Sequence, residues 1–581
     1  MYGLCSIILG LLATQAGVGA DTRLPTASAA DRLIQDLPED SVAALIVDRL
    51  GEHFDPWRTS ASWERIQALP SFQLWLKSTE SERLTREVAK VEALLGMSSL
   101  ELIRSILGQA TVLSLHPDAT VQGGYAGLVL VQPPDPARLR GLIKRLEALA
   151  EGERKGQTLV ERNEGERVFK LSQQGPANTY AFAILDDGRF AWSNSENLIR
   201  LYLKRVSQPT ERKSPIWLQG SQPKTGEPVL VLRLSDQLWK ANADQDRDEA
   251  EAEQRGIEAR VKRWLASCRG IALELSDQDG LSFRLMLHFP PSPAIESLTG
   301  FLAAAPDLAP YQESGADEAM IASAGLSFDS AAVGDLLLGL LAEKDPISLK
   351  HLDLLASAIL GERDSLHSLL AGLGPESRFL LCLTDSQGPG RLLQRGLDLR
   401  LAVRYQGGQE TASQLKRLLQ ASLALAALDQ SKGDQKPRLD VEDGPARAML
   451  KLVSLERSLF ASISDGWMTL GNTDLLDRAW PESLSLGPQS LDPLTTEPGL
   501  KVHAQVMSNP LQRCLARNRE YWVAENSRAN GTTVEQATRE FDQAQELLGL
   551  LRRVTYRMWV EPDSSRLTQE FRLLPAEPRT D

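Results

Sequence analysis

The chain has 581 residues, 42% of them hydrophobic and 24% charged, a globular composition that excludes wholesale disorder. This length exceeds one ordinary hydrophobic core and implies about three or four folding units, at roughly 100–200 residues each. A net charge of -13, without a run of Lys or Arg, excludes a general nucleic-acid binder or a protein held to anionic membranes by charge.

Residues 1–20, MYGLCSIILGLLATQAGVGA, carry no charged side chain, and their apolar stretch runs from Leu4 to about Ala13. Val18-Gly19-Ala20 has the small-residue pattern of a signal-peptidase site. It predicts a signal peptide at 1–20 and an exported, periplasmic or extracellular chain starting at Asp21, although the usual basic residues before the apolar stretch are missing. No later segment reaches the ~20 apolar residues of a spanning helix, so none is expected in the mature chain. Cys268, Cys382 and Cys514 remain after cleavage. An odd, scattered set has neither a disulfide framework nor zinc-ligand spacing, and Cys382 in RFLLCLTD reads as a core residue.

SVAALIVDRL reads as the leading strand. Trp57, Trp63, Phe72 and Trp75 fall at amphipathic intervals, which predicts helix-core positions more readily than a carbohydrate or lipid platform. EALLGMSSLELIRSILGQATVLSLHPD predicts a helix, a Gly break, a second helix and a strand. YAGLVLVQPPDPARLRGLIKRLEAL predicts a strand feeding an amphipathic helix, and VFKLS a further strand. TYAFAILDDGRFAWS reads as a hairpin turning at Asp187-Gly188, since a tight turn demands the positive φ that Gly adopts cheaply. Ser195 is placed to cap the next helix and Glu196 sits near its positive end, so the carboxylate has a structural task. After a softer division near residues 206–227 come the strand PVLVLRLSDQL, a charged solvated helix and the hairpin IALELSDQDGLSFRLMLHFPP.

The order then returns. AMIASAGLSF leads. SAILGERDSLHSLLAGLGPESRFLLCLTD, LDLRLAVRYQGGQETASQLKRLLQASL and MLKLV follow, with Leu415-Lys416-Arg417-Leu418-Leu419 matching Leu142-Ile143-Lys144-Arg145-Leu146. SLFASISDGWMTLG repeats the hairpin around Asp465-Gly466, with Thr473 and Asp474 in the capping places. Beyond a softer division near 481–499 come LKVHAQVMSNPL, a long charged helix and VTYRMWVEPDSSRLTQEFRLLP. Blocks matching in one order predict an internal duplication. The expected architecture is α+β, in two tandem pseudo-symmetric copies at residues 37–306 and 316–575 joined by a linker at 307–315. Each copy is expected to be an antiparallel-rich sheet or sheets with helices packed on one face.

Catalytic signatures are scarce. No Walker A loop, His-Glu-x-x-His, Cys-x-x-Cys or Gly-x-Ser-x-Gly elbow occurs. Ser413-Gln414-Leu415-Lys416 is a Ser-x-x-Lys and Lys224-Thr225-Gly226 is the triad found with it in penicillin-recognising enzymes. Here, however, the triad precedes the Ser and lies in a Pro-flanked linker. His53, His116, His288, His351, His367 and His503 are isolated from one another and show no ligand spacing, His351 and Asp353 being the nearest approach.

LPEDSVAALIVD, the helical segment carrying Trp63 and Phe72, and the FAILDDGRFAWSNS hairpin resemble exported bacterial proteins grouped as a domain of unknown function. The resemblance spans most of the chain and implies no activity, cofactor or site residue. The sequence thus predicts a non-enzymatic envelope protein that binds or scaffolds another envelope protein, a lipid or a polysaccharide through a groove between the copies. No catalytic, metal-binding or cofactor-binding residue is expected. The alternative is an envelope hydrolase whose site is assembled from distant residues, as triads are.

Overall fold

The computed structural model describes residues 29–49, 76–107, 109–121, 124–153, 159–173, 179–208, 230–237, 268–276, 281–289, 319–335, 346–360, 371–384, 395–406, 408–430, 438–443, 447–453, 458–464, 466–472, 499–560 and 566–575, with isolated positions at 64, 67–68, 72–73, 338 and 369. The signal segment 1–20 and the linker 307–315 lie outside the described residues. The chain divides into two compact units, one carrying the strands up to Leu287 and the other those from His288 onward.

In the first unit α1 (Ala29–Gln35) leads into β1 (Ala43–Asp48). Then α2 (Thr79–Leu95) and α3 (Ser99–Leu107) precede β2 (Ala110–Pro117) and β3 (Tyr125–Gln132). α4 (Pro136–Glu153) precedes β4 (Leu159–Glu164), β5 (Arg167–Gln173), β6 (Thr179–Ile184) and β7 (Phe190–Ser193). α5 (Glu196–Ser207) precedes β8 (Leu230–Ser235), β9 (Gly270–Ser276) and β10 (Leu281–His288). These strands run in the order β4-β5-β6-β7-β3-β2-β1-β8-β9-β10.

The second unit opens on β11 (Met320–Ser327), then α6 (Pro346–Leu360), β12 (Leu373–Leu383), β13 (Leu397–Tyr405) and α7 (Gly408–Gln430). β14 (Arg438–Asp443), β15 (Arg447–Val453), β16 (Ser458–Ser464), β17 (Trp467–Gly471) and β18 (Leu500–Met507) come next. α8 (Ser508–Arg517), α9 (Arg519–Asn530) and α10 (Val534–Gly549) lead to β19 (Leu551–Val560) and β20 (Arg566–Pro575). The order is β14-β15-β16-β17-β13-β12-β11-β18-β19-β20.

Two expectations are overturned. The twenty described strands belong to a single sheet, not to two tandem copies with sheets of their own. Repeated sequence blocks name the strands, and they recur here as a repeated strand order, but blocks do not say which strand edges pair. Nor do the helices keep to one face. In β3, Ala126, Leu128 and Leu130 enter a core with α1 and α5, whereas Val129 and Val131 enter another with α2, α3 and α4. Successive strand residues point to opposite sides, so β3 is covered on both. Its apolar run YAGLVLV has that reason.

Helix ends in the two units use one device that motif reading missed. Arg145 of α4 donates from Nη1 to the Leu95 carbonyl at the end of α2 at 2.9 Å, and Arg417 of α7 does the same to Leu360 of α6 at 2.8 Å. Both guanidiniums satisfy a carbonyl that has no partner within its own helix.

The recurring Asp-Gly phrase is resolved residue by residue. Ile184 pairs with Phe190, Leu185 N–H donates to Arg189 O at 2.8 Å, and Gly188 N–H donates to Leu185 O at 2.9 Å. The loop is therefore Asp186-Asp187-Gly188, one residue longer than the expected two-residue turn, with Gly188 at φ 84°. In the second unit Ser464 pairs with Trp467 and Gly466 has φ 80°, while Asp465 lies outside the described residues. The Asn that closes each phrase clamps the neighbouring strand. Asn194 Oδ1 accepts from Gly127 N–H at 2.7 Å, and Asn472 Oδ1 accepts from Leu399 N–H at 2.6 Å.

Ser195 is the N-cap of α5, its Oγ accepting from Leu198 N–H at 3.3 Å while donating to Asp118 Oδ2 at 2.6 Å. Burial works against ionisation of Asp118, but bonds from Ser195 and Thr120 outweigh it and hold its carboxyl below the usual range. Ser195→Ala is expected to lower stability by about 1–2 kcal/mol, one cap plus one charge-assisted bond. Chemical denaturation measures it. An unchanged midpoint would show that the Ser195 hydroxyl does not hold the start of α5. Thr473 lies outside the described residues.

Candidate functional site

The second unit places charge where a core is ordinarily apolar. Period-two alternation in β19, LRRVTYRMWV, sends Arg553, Thr555 and Arg557 to one side of the sheet. In β20, RLTQEFRLLP sends Glu570 and Arg572 to that same side. Register extends this face across the unit. Ser323 of β11, Gln505 of β18, Thr555 and Arg572 form one row. Gly325, His503, Arg557 and Glu570 form the next, and Gly325 is also opposite Arg378 of β12. Thr555, Arg557, Glu570, Arg572, Arg378 and Lys501 are all buried.

Ion pairs hold part of this face. Arg557 Nη1 is 4.0 Å from Glu570 Oε2, Arg378 is hydrogen-bonded to Glu376, and Arg400 Nη2 is 2.6 Å from Asp398 Oδ2. The opposite face is apolar and partly open. Tyr556 and Phe571 lie against each other with ring centroids 4.7 Å apart, and Phe571, Phe379, Leu401 and Leu326 are exposed. Around β11, β12, β13, β19 and β20 the usual polarity of a half-covered sheet is thus reversed.

His503 sits among these cations. Burial, then the charges of Arg557 and Arg553, push its imidazole down from 6.5 to about 4. The folded chain therefore refuses a proton that the unfolded chain accepts, and stability falls as the pH drops from about 6.5 towards 4, then levels off. The total loss is about 3 kcal/mol at 1.36 kcal/mol per pKa unit. His503→Gln is expected to remove that component of the acid slope, read from denaturation at pH 7 and pH 4.5. An unaltered slope would contradict it.

The first unit holds a constellation that motif reading missed. His116 Nδ1 is 2.8 Å from Asp40 Oδ1, and His116 Nε2 is 2.9 Å from Ser114 Oγ. With the proton on Nδ1 donated to Asp40, Nε2 accepts from the serine, which is the connectivity of a Ser-His-Asp triad. Its setting is poor for catalysis. Ser114 and His116 are only 2% and 1% exposed, and they occupy alternate positions of β2, a strand paired on one side with β1 and on the other with β3. Backbone N–H groups engaged in those ladders are not free to form an oxyanion hole.

A third cluster fastens the segment after α1 to the rest of the first unit. Asp36, wholly buried, pairs with Arg189, which also donates from Nε to Asp187 Oδ2 at 2.7 Å. Arg205 Nη1 lies 3.4 Å from Glu39 Oε1. Asp36, Glu39 and Asp40 thus tie one short stretch to a hairpin, a helix and a strand. Glu196, beside the cap, receives Arg162 and Arg200 at 2.9 and 2.7 Å, so it too has a structural role.

Among the described residues the remaining sequence candidates do not converge. Ser413 is exposed on α7, whereas Lys224-Thr225-Gly226 lies outside the described residues, as do His53, His367, Trp57, Trp63 and Trp75. His351 lies in α6, His288 ends β10, and Phe72 is half-buried. Cys268 and Cys514 are buried and Cys382 is half-buried, and none of the three is in a disulfide. Among the described residues no group of three His, Cys, Asp or Glu could hold a metal ion, and no helix is long and apolar enough to cross a membrane. The chain matches no protein-family model, no curated protein and no solved structure.

Proposed function

We propose that the protein is an exported, non-enzymatic binding or scaffold protein of the bacterial cell envelope, and that the second unit does the binding. The supporting observation is its charged buried face. Well-packed apolar residues serve stability as well as buried ion pairs or better, so a sheet face built from Arg378, Arg557, Glu570 and Arg572 points to a role other than holding the fold. An envelope protein, a lipid or a polysaccharide is the partner class. Export is supported by the apolar stretch and the Val18-Gly19-Ala20 pattern. Tagged full-length protein should therefore be recovered outside the cytoplasm beginning at or near Asp21.

Binding is tested by melting the full-length protein with envelope-lipid vesicles and with purified envelope polysaccharide. A ligand of the folded state raises Tm with concentration. A second reading, an envelope hydrolase, is favoured by the Asp40-His116-Ser114 connectivity. Covalent labelling of wild-type protein by a fluorophosphonate, lost in Ser114→Ala, together with no Tm response to either ligand, would replace the binding reading with that one.

A further inference from the structure

Strand register shows how far the open apolar side of the second unit extends. Leu401, Phe379, Ala324, Ala504, Tyr556 and Phe571 are successive partners across β13, β12, β11, β18, β19 and β20, and so form one row. The rows on either side, through Ala322 and through Leu326, share its face. Their only polar side chains are Ser377 and Gln569, and none of the three rows holds a charge. No residue in them is buried, and Leu326, Phe379, Leu401 and Phe571 are exposed. Among the described residues, α6 and α7 pack on this side at its flank, against Ile463 and Met468.

The first unit repeats the pattern. Leu113, Leu45, Leu232 and Leu273 are successive partners across β2, β1, β8 and β9. The rows beside them, through Ala43 and through Val47, carry no charge and one polar side chain, Thr111, and Leu115 and Leu273 are exposed. Exposed positions accept charge at little cost and gain solubility from it. In a chain with 24% charged residues, an open face without any points to an uncharged partner.

In the second unit the three rows cover about 25 Å by about 15 Å, roughly 400 Å². That is half of the ~800 Å² each partner gives to a stable protein interface, which also carries a polar rim and about one hydrogen bond per 100–200 Å². Hydrocarbon makes no hydrogen bonds, and burial in it gains in proportion to apolar area. It demands instead that no backbone group be left unpaired. β11, β12, β13, β18 and β19 are each paired along both edges, so this sheet meets that demand.

We propose that this face of the second unit docks on a lipid layer and contacts its acyl chains. The inference rests on the binding reading above and names lipid as the partner. Full-length protein is floated with phosphatidylcholine vesicles, which carry no net charge, at about 0.1 M and about 1 M salt. Binding is expected at both, because contact with hydrocarbon is not screened. Phe571→Asp is expected to weaken it about tenfold or more while the melt of the free protein stays the same, since the side chain is exposed. Leu401→Asp should act alike and carries the test if Phe571→Asp does not fold. Val534→Asp, at an exposed position of α10 outside the rows, should leave binding unchanged. The lipid face is overturned by no flotation, by flotation lost at high salt, or by flotation that neither Phe571→Asp nor Leu401→Asp weakens. A concentration-dependent dimer that Phe571→Asp abolishes, in the absence of flotation, would overturn it too and assign the face to a second copy. A Tm rise with polysaccharide alone would leave the broader binding reading intact.

Discussion

Arg189→Leu is expected to destabilise the protein by about 3–5 kcal/mol, the range for removing one partner of a buried ion pair. Asp36 is 0% exposed and is paired with Arg189, so the leucine variant removes the arginine from a buried carboxylate. Asp36→Asn combined with Arg189→Leu should recover much of the loss, since the amide needs no counter-charge. Urea denaturation of both variants reads this directly. A loss below ~1 kcal/mol in the single variant, the size of an exposed pair, would show that Asp36 is hydrated.

The two phrase glycines, alike in sequence, should respond unequally. A Cβ on Gly188 would stand 2.3 Å from Pro136 Cβ and 2.6 Å from its Cγ, against the first residue of α4. At Gly466 the nearest atom is Tyr405 O at 3.9 Å. Both have positive φ, so alanine at Gly466 should cost only the left-handed strain, about 1 kcal/mol. Gly188→Ala adds a displacement of α4, bringing the expected loss to about 3–4 kcal/mol. Parallel thermal melts of the two variants test the difference. Equal losses would mean that the hairpin does not press on Pro136.

The two turns were legible in the sequence, but their unequal surroundings were not. An Asp-Gly between apolar runs demands a turn with positive φ, and Ser195 before Glu196 demands a cap, so both were legible from local chemistry. Loop length was not, because one extra residue in Asp186-Asp187-Gly188 changes pairing without changing composition. The charged face of the second unit was hidden for another reason. In VTYRMWV and RLTQEFRLLP the alternation of Arg and Glu with apolar residues is the ordinary signature of a sheet with one wet side, and the apolar side is here the more open one. Asp40, Ser114 and His116 were invisible as a group, since their meeting depends on β2 pairing beside β1. The sequence likewise holds no sign that helices cover both faces of β3, beyond its unbroken apolar run.

β1 precedes every other described strand, yet it lies in the interior of its unit, between β2 and β8, with Ala43 opposite both Leu115 and Leu234. Its second edge therefore waits for residues 230–235, and its acidic neighbours wait for Arg189 and Arg205. Contacts of such long sequence separation close slowly. Were the chain exported as proposed, the delay would keep the first unit open until most of it has been made, and an open chain is the form a translocation channel threads. The same delay is a hazard for any product cut short before Leu230. Such a fragment keeps β1 with one row of backbone groups unmatched, and an unmatched strand edge recruits the edges of its neighbours.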